Sequence, residues 1–343
     1  MNNKSIIVVG PVILDRHYFL NEFPKESNLA TIYDTSASVG GAGNLMLDLA
    51  KLDSNMIIKS ISILGDDDGA SLILDEFKKY NNIDMSLTTV LETTPCTHVM
   101  NSAKTKQRTF FYDAASNSDF NIKHIDFDSL HGDILQIEYI GLIGKLRDKD
   151  SEYGSACARI LYEARERGMK TSIDMVSKKN DSIIAVAHSS LKYTDYCTIN
   201  EFEAENISDI TLKDENDNII EENIILALDK IKELGATTWV VIHSSLFSYG
   251  LDCKTNTIYK AESLNVPKSY IKGTTGAGDA FLSGILYSIT RDFDLEKALK
   301  VACTTAVCSL SEVDGTSAMK DYNEVMKLFD IYGKGCIYET LRD

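Results

Sequence analysis

An α/β fold, built on a central, mostly parallel sheet with helices on both faces, is what this sequence predicts. Three observations carry that expectation. Short β-branched runs alternate with helix-length amphipathic stretches. Strands separated by one helix each call for parallel pairing and a cover of helices on both sides. No repeat, low-complexity tract or Pro/Gly linker divides the 343 residues, so 1–343 reads as a single domain although length alone would allow two.

The strands are expected at Ser5–Gly10, Met56–Gly65, Ile134–Ile143, Lys170–Met175, Tyr193–Ile199 and Thr238–His243, each a short apolar run suited to a sheet buried on both faces. Between them the apolar spacing predicts helices over Gly43–Leu52, Ala70–Asn81, Tyr153–Gly168, Ser182–Ser189 and Glu221–Gly235. Several end in Gly or Asn, as helix C-termini do. Three more, Ala277–Thr290, Leu295–Leu310 and Tyr322–Tyr332, close the chain. Two segments break the rhythm. Tyr18–Val39 alternates polar and apolar residues without a helical face, and Thr97–Asp113 reads as a hairpin about a polar turn. Together, as elements about 12–39 and 95–114, they form a small antiparallel flap off one sheet edge. Active sites lie at the carboxyl ends of parallel strands, so the flap is expected as a lid, a plain surface hairpin being the alternative.

Composition excludes several functions. Acids outnumber bases 51 to 35, and a formal charge of −16 argues against a nucleic-acid partner, which needs net Lys and Arg. It leaves room for a small anion in a local electropositive pocket. No apolar run approaches a membrane span, the nearest being interrupted by Glu138 and Gly141. The first residues lack the pattern of a signal peptide, so a cytoplasmic protein is expected. Seven scattered cysteines without CxxC spacing read as free thiols, and six dispersed histidines offer neither a metal nor a triad pattern.

The segment with most chemical content is Gly273-Thr274-Thr275-Gly276-Ala277-Gly278-Asp279-Ala280-Phe281. Small residues crowd a loop-to-helix junction where free N–H groups and the positive end of the helix dipole meet, a place able to bind an anion. Asp279 beside a bound phosphate would repel it unless it accepts a proton. An ordinary capped helix start reads equally well from these residues alone.

This segment resembles the C-terminal signature of the ribokinase-like (PfkB) carbohydrate kinases. The resemblance implies Asp279 as catalytic base, with the Gly276, Ala277 and Gly278 amides as anion hole and Thr275 on the nucleotide side. It extends to Gly40-Gly41-Ala42-Gly43-Asn44, where Gly40, Gly41 and Asn44 would contact sugar hydroxyls, and to Asp15 as a further hydroxyl ligand. Gly65-Asp66-Asp67-Asp68-Gly69 is similar to a family segment, though its acids read mainly as helix caps. Asn200 and Glu203 match an NxxE motif, implying that they organise the water shell of Mg²⁺ on ATP. Glu138 is carried as a sugar ligand by the same resemblance.

The sequence also departs from the family. Gly273 stands where an Asp often helps hold a monovalent cation, which puts such a cation in doubt. Asp174-Met175-Val176-Ser177 lacks the usual Asn and Arg. Ile242–Gly250 replaces a glycine-rich nucleotide loop, leaving His243 as a candidate nucleotide residue or a strand-end histidine. The adenine is expected between the loop after His243 and Leu295–Leu310, whose small run Ala302–Ala306 admits a ring or, alternatively, close helix packing. Arg108, in the hairpin, could reach a substrate or phosphate, a solvated charge on the flap being the favoured reading. No P-loop occurs, and GAGNLM and GAGDAF lack the third glycine of a dinucleotide fingerprint. The implied activity is ATP-dependent phosphorylation of a small sugar. A nucleoside or vitamin-precursor kinase, or a catalytically silent sugar- or nucleotide-binding relative, remains open. A homodimer through the exposed lid edges is expected as well.

Overall fold

The chain is described by a computed structural model covering residues 3–342. Its strands are β1 (Ser5–Val9), β2 (Val12–Leu20), β3 (Ile32–Gly41), β4 (Ile57–Ile61), β5 (Ile63–Leu64), β6 (Ile83–Asp84), β7 (Thr89–Val90), β8 (Cys96–Ser102) and β9 (Arg108–Asp113). They continue with β10 (Ile134–Ile140), β11 (Lys170–Met175), β12 (Tyr196–Asn200), β13 (Trp239–His243), β14 (Phe247–Asp252), β15 (Thr257–Glu262) and β16 (Tyr338–Arg342). The helices are α1 (Ala42–Leu52), α2 (Asp68–Phe77), α3 (Ala156–Glu166), α4 (Asp181–Leu191), α5 (Glu201–Ser208), α6 (Glu221–Leu234), α7 (Ala277–Thr290), α8 (Leu295–Ser309) and α9 (Tyr322–Tyr332).

Ten strands form the main sheet in the order β16-β15-β14-β13-β12-β11-β10-β1-β4-β6. Pairing is parallel from β6 to β13 and antiparallel from there to β16. Alternate residues of β1 feed two separate cores: Ile6 and Val8 pack with α1, α2, α7 and α8, while Ile7 and Val9 pack with α3 to α6. The result is a three-layer α/β/α sandwich, as the alternating pattern requires.

The expected strand Met56–Gly65 is two strands. Main-sheet pairing of that run ends at Ile61, opposite Val9, and Ile63–Leu64 turns away to pair with β7. The antiparallel β14–β16 edge is an addition to the sequence reading. The β14–β15 turn is built on Asp252, whose carboxylate accepts from Lys254 N and Thr255 N, and on Asn256 at φ 65°; this Asx chemistry is its one sequence signal.

The lid is a four-stranded sheet in the order β3-β2-β8-β9. Two antiparallel pairs, β2·β3 and β8·β9, are joined through a parallel β2·β8 pair. Asp67 caps α2 by accepting from Ala70 N and also accepts from Thr94 N and Thr94 Oγ1, which pins the segment leading into β8.

The small run in α8 is packed, not open. Ala302, Thr304 and Thr305 are buried, and a Cβ on Gly284 of α7 would stand 2.7 Å from Ala302 Cα and 2.5 Å from Thr305 Oγ1. Gly284→Val should therefore lower stability by about 1–3 kcal/mol through overpacking. Urea unfolding measures it, and an unchanged midpoint would mean that the two helices have room to separate.

Candidate functional site

The first turn of α7 lies at the carboxyl end of the parallel strands, where Gly276 adopts φ 74° and enters the helix without a side-chain cap. Any side chain at Gly276 would also strike Gly315, since a Cβ there would be 2.6 Å from its Cα. Ala280 N closes the first helical bond onto Gly276 O, and Ala277 N makes a long 3.4 Å contact with Thr274 O. The N–H groups of Gly276, Gly278 and Asp279 have no partner among the described residues. Gly278 is exposed, so its amide is accessible. This arrangement is chemically able to bind an anion, as helix starts are.

Asp279 is 6 % exposed. Asn44 Nδ2 donates to its Oδ2 at 3.1 Å, and the Tyr139 hydroxyl donates to its Oδ1. Burial pushes the carboxyl up to about 6, while the Tyr139 and Asn44 hydrogen bonds hold it down. Tyr139 was not singled out from the sequence. It sits at φ 58° near the end of β10, a left-handed conformation uncommon for a bulky side chain, and the β10·β11 register shifts between Ile137 and Ile140. That local kink accompanies the turn of its hydroxyl toward α7.

Asp15 on β2 stands against Gly40, where any Cβ would clash with its carboxylate. Burial raises Asp15 to about 6; a Thr97 hydrogen bond opposes this and the charge of Asp279 adds to it. Gly41 at φ 61° makes the tight entry into α1, which brings Asn44 to Asp279. The structure thus joins Asp15, Gly40, Gly41, Asn44, Gly276, Ala277, Gly278 and Asp279 in one place.

A second acidic group lies at the ends of β10 to β12. Glu138 is fully buried, with Oε2 accepting from Gln136 Nε2 and Oε1 without a partner. Glu203 is raised to about 7 by burial, against hydrogen bonds from Asn200 and Ser177. Asp174 is pushed well up by burial, then by the charges of Glu138 and Glu203. Asn200 and Glu203 form a reciprocal cap on α5, and Ser177 Oγ donates to Glu203 at 2.7 Å, so the divergent 174–177 segment is tied to the NxxE pair. No direct metal cage of His, Cys, Asp or Glu exists among the described residues. Mg²⁺ that keeps its waters and arrives on nucleotide phosphates needs no such cage, and three mutually repelling carboxyls suit a nearby cation.

His243, at the end of β13, stacks on Phe281 with ring centroids 4.6 Å apart and lies beside Gly278. Burial pushes the imidazole down to about 4, so it is neutral at physiological pH. It backs the anion turn. The cavity of about 630 Å³ beyond β13 is instead lined by Ser245, Leu246, Phe247, Val307 and Leu310, which places it between the loop after His243 and the far end of α8. Thr275 borders another cavity, of about 680 Å³, facing the lid residues Lys106 and Arg108.

Arg108 is not a solvated lid charge: it is half-buried and donates to Val313 O at 3.1 Å. The sequence reading also missed the 313–317 loop, whose Gly315 packs on Gly276 and Asn44. Asp48 of α1 went unnoticed too. It is fully buried, neither carboxylate oxygen has a partner, and burial and Asp279 push its carboxyl well up.

A family model described as pfkB family carbohydrate kinase matches residues 3–321. The bifunctional protein HldE of Aliarcobacter butzleri is 23% identical over 354 residues, an alignment spanning 95% of this chain and 67% of that protein. Among solved structures, Thermotoga maritima ribokinase superposes with a TM-score of 0.75 at 19% identity, covering 95% of this chain and 99% of that one. Arabidopsis thaliana ribokinase complexed with ribose and ATP gives 0.76 at 18% identity, over 95% and 98% of the two chains. No helix among the described residues is long and apolar enough to cross a membrane.

Removing the Tyr139 hydroxyl takes away a hydrogen bond to the ionised form of Asp279, so its pKa should rise. Tyr139→Phe is expected to move the Asp279 carboxyl up by about 1 unit, followed by ¹³C NMR titration; an unmoved titration would mean that Tyr139 does not hold the carboxylate.

Proposed function

This chain belongs to the pfkB family of carbohydrate kinases, and on that premise we propose that it transfers the γ-phosphoryl group of ATP to a hydroxyl of a small sugar. The observation that carries this reading is Asp279: a buried carboxylate, oriented by Asn44 and Tyr139, in the first turn of a helix with open amides.

The acceptor hydroxyl lies between Asp15, the Gly40–Asn44 turn and the lid. Asp279 takes its proton as the oxygen forms a bond to the γ-phosphorus. The bond from that phosphorus to the bridging oxygen breaks, and ADP leaves with the electron pair. The open amides at Gly276 and Gly278, with the start of the α7 dipole, receive charge spreading over the phosphoryl oxygens. His243, neutral and packed behind Gly278, keeps the turn in place without adding charge. Mg²⁺ bound with ATP supplies electrostatic neutralisation of the phosphates, and Asn200 and Glu203 are the residues that would meet its waters. Glu138 and Asp174 lie behind that position and have raised pKa values of the kind that a cation relieves. Adenine occupies the cavity against Val307 and Leu310.

Burial favours the neutral form of Asp279, so the base form is present only above its pKa of about 6. The rate kcat/KM should fall about tenfold per pH unit below 6 and level off above it. Asp279→Asn should lower kcat by ~10²–10⁴ with ATP affinity retained. Coupled ADP release over a panel of sugars and nucleosides, with nucleotide binding by calorimetry, measures both. Undiminished turnover in the variant would remove Asp279 from the reaction, and nucleotide binding without turnover of any acceptor would favour a silent relative.

A further inference from the structure

We propose that Arg108 is a positioning residue for phosphoryl transfer. From the lid it clamps the 313–317 loop, and that loop braces the turn at the start of α7, so the turn is fully held only while the lid is down. The inference rests on the kinase reading above and adds to it a link between the lid and the place of transfer.

The link can be followed contact by contact. Arg108, the first residue of β9, donates from its guanidinium to Val313 O at 3.1 Å. Backbone 312–315 lies directly against backbone 273–276. A Cβ on Gly273 would stand 2.8 Å from the same Val313 O, and one on Gly276 would stand 2.6 Å from Gly315 Cα. Lys272 N bonds to Leu310 O alongside, and Lys272 Nζ pairs with Glu312 at 2.9 Å. Gly315 also borders Asn44, which donates to Asp279. With glycine at these contacts there is no soft layer of side chains to absorb a shift. Movement of the loop is therefore felt at Gly276, whose positive φ sets the open amides, and at the bond that orients Asp279.

The loop is built to transmit such movement. Asp314 accepts from Thr316 N and Ser317 N, and Met319 N bonds to Thr316 O, so 314–319 is tied to itself. Lys51 of α1, facing the charges of Asp48 and Asp314, donates to Thr316 O at 2.7 Å and pegs the loop from the body side. Among the described residues, the one hydrogen bond from the β8–β9 hairpin to this loop is that of Arg108. It crosses a gap: Arg108 borders a cavity of about 660 Å³ on one side and, with 271–276, one of about 680 Å³ on the other. Burial depresses the guanidinium, so desolvation opposes the bond to Val313. A clamp balanced in this way closes when an acceptor holds the lid down and releases when the lid lifts and Arg108 returns to water.

The test is hydrogen–deuterium exchange, read by mass spectrometry, on the natural protein and on Arg108→Gln without ligand. Amides of 313–319 and of 276–281, among them Ala280 N on Gly276 O, should exchange about 10- to 100-fold faster in the variant. Those of β12 and β13 should be unchanged. Unaltered exchange in 276–281 would overturn the proposal, and so would faster exchange throughout, which is general loosening. With the sugar that turns over best in the ADP-release panel, Arg108→Gln should lower kcat by about 10- to 100-fold. Arg108→Lys, still able to donate to one carbonyl, should recover part of that loss. A raised sugar KM with kcat intact would make Arg108 an acceptor ligand and overturn the positioning role, leaving the kinase reading standing. If no sugar releases ADP, the kinase reading fails, and exchange in 276–281 still decides the clamp.

Discussion

A carboxylate at the start of α7 must remain ionisable while nearly enclosed by protein, and much of the structure follows from that requirement. Asp279 is buried, which favours its neutral form, and two hydrogen bonds oppose burial. One comes from Asn44, 235 positions away in sequence, and the other from Tyr139 at the kinked end of β10. Each needs its own backbone device: positive φ at Gly41 for the entry into α1, and positive φ at Tyr139 itself. The balance leaves a carboxyl with a pKa of about 6, ionised at physiological pH yet close enough to neutrality to take a proton in the proposed reaction. The same turn has open amides, so in the proposed function base and anion site share one helix start.

The parts legible in the sequence were those set by local chemistry. Ala277–Thr290, Tyr322–Tyr332 and Lys170–Met175 are elements with the same bounds as expected, because periodicity and end signals agree there. The glycine motifs were readable because their conformations demand glycine, as Gly276 and Gly41 show. Contacts across the fold left no such trace. Tyr139 looked like one more apolar strand residue, since nothing in its neighbours announces a positive φ. Asp48 occupies a helix position whose charged neighbours include Asp279 and Asp314, far along the chain. The β14–β16 edge escaped because an antiparallel addition to a parallel sheet breaks the βα rhythm on which the reading relied. Arg108 looked solvated because the sequence could not show that the lid hairpin reaches Val313.

Net charge describes this protein poorly at short range. The formal −16 counts surface acids together with buried or half-buried carboxyls, Glu138, Asp174 and Glu203 at one side and Asp15 and Asp279 at the other. Against this background the open backbone amides at the start of α7 offer a place for an anion, one that a charge count does not show.

The most direct measurement is a crystal structure with ADP, Mg²⁺, aluminium fluoride and an acceptor sugar. The metallofluoride should sit on the amides of Gly276 and Gly278, with the acceptor oxygen in line and within hydrogen-bond distance of an Asp279 oxygen. A metallofluoride bound away from the start of α7, or an acceptor hydroxyl contacting a different side chain, would contradict the assignment of Asp279 as the base.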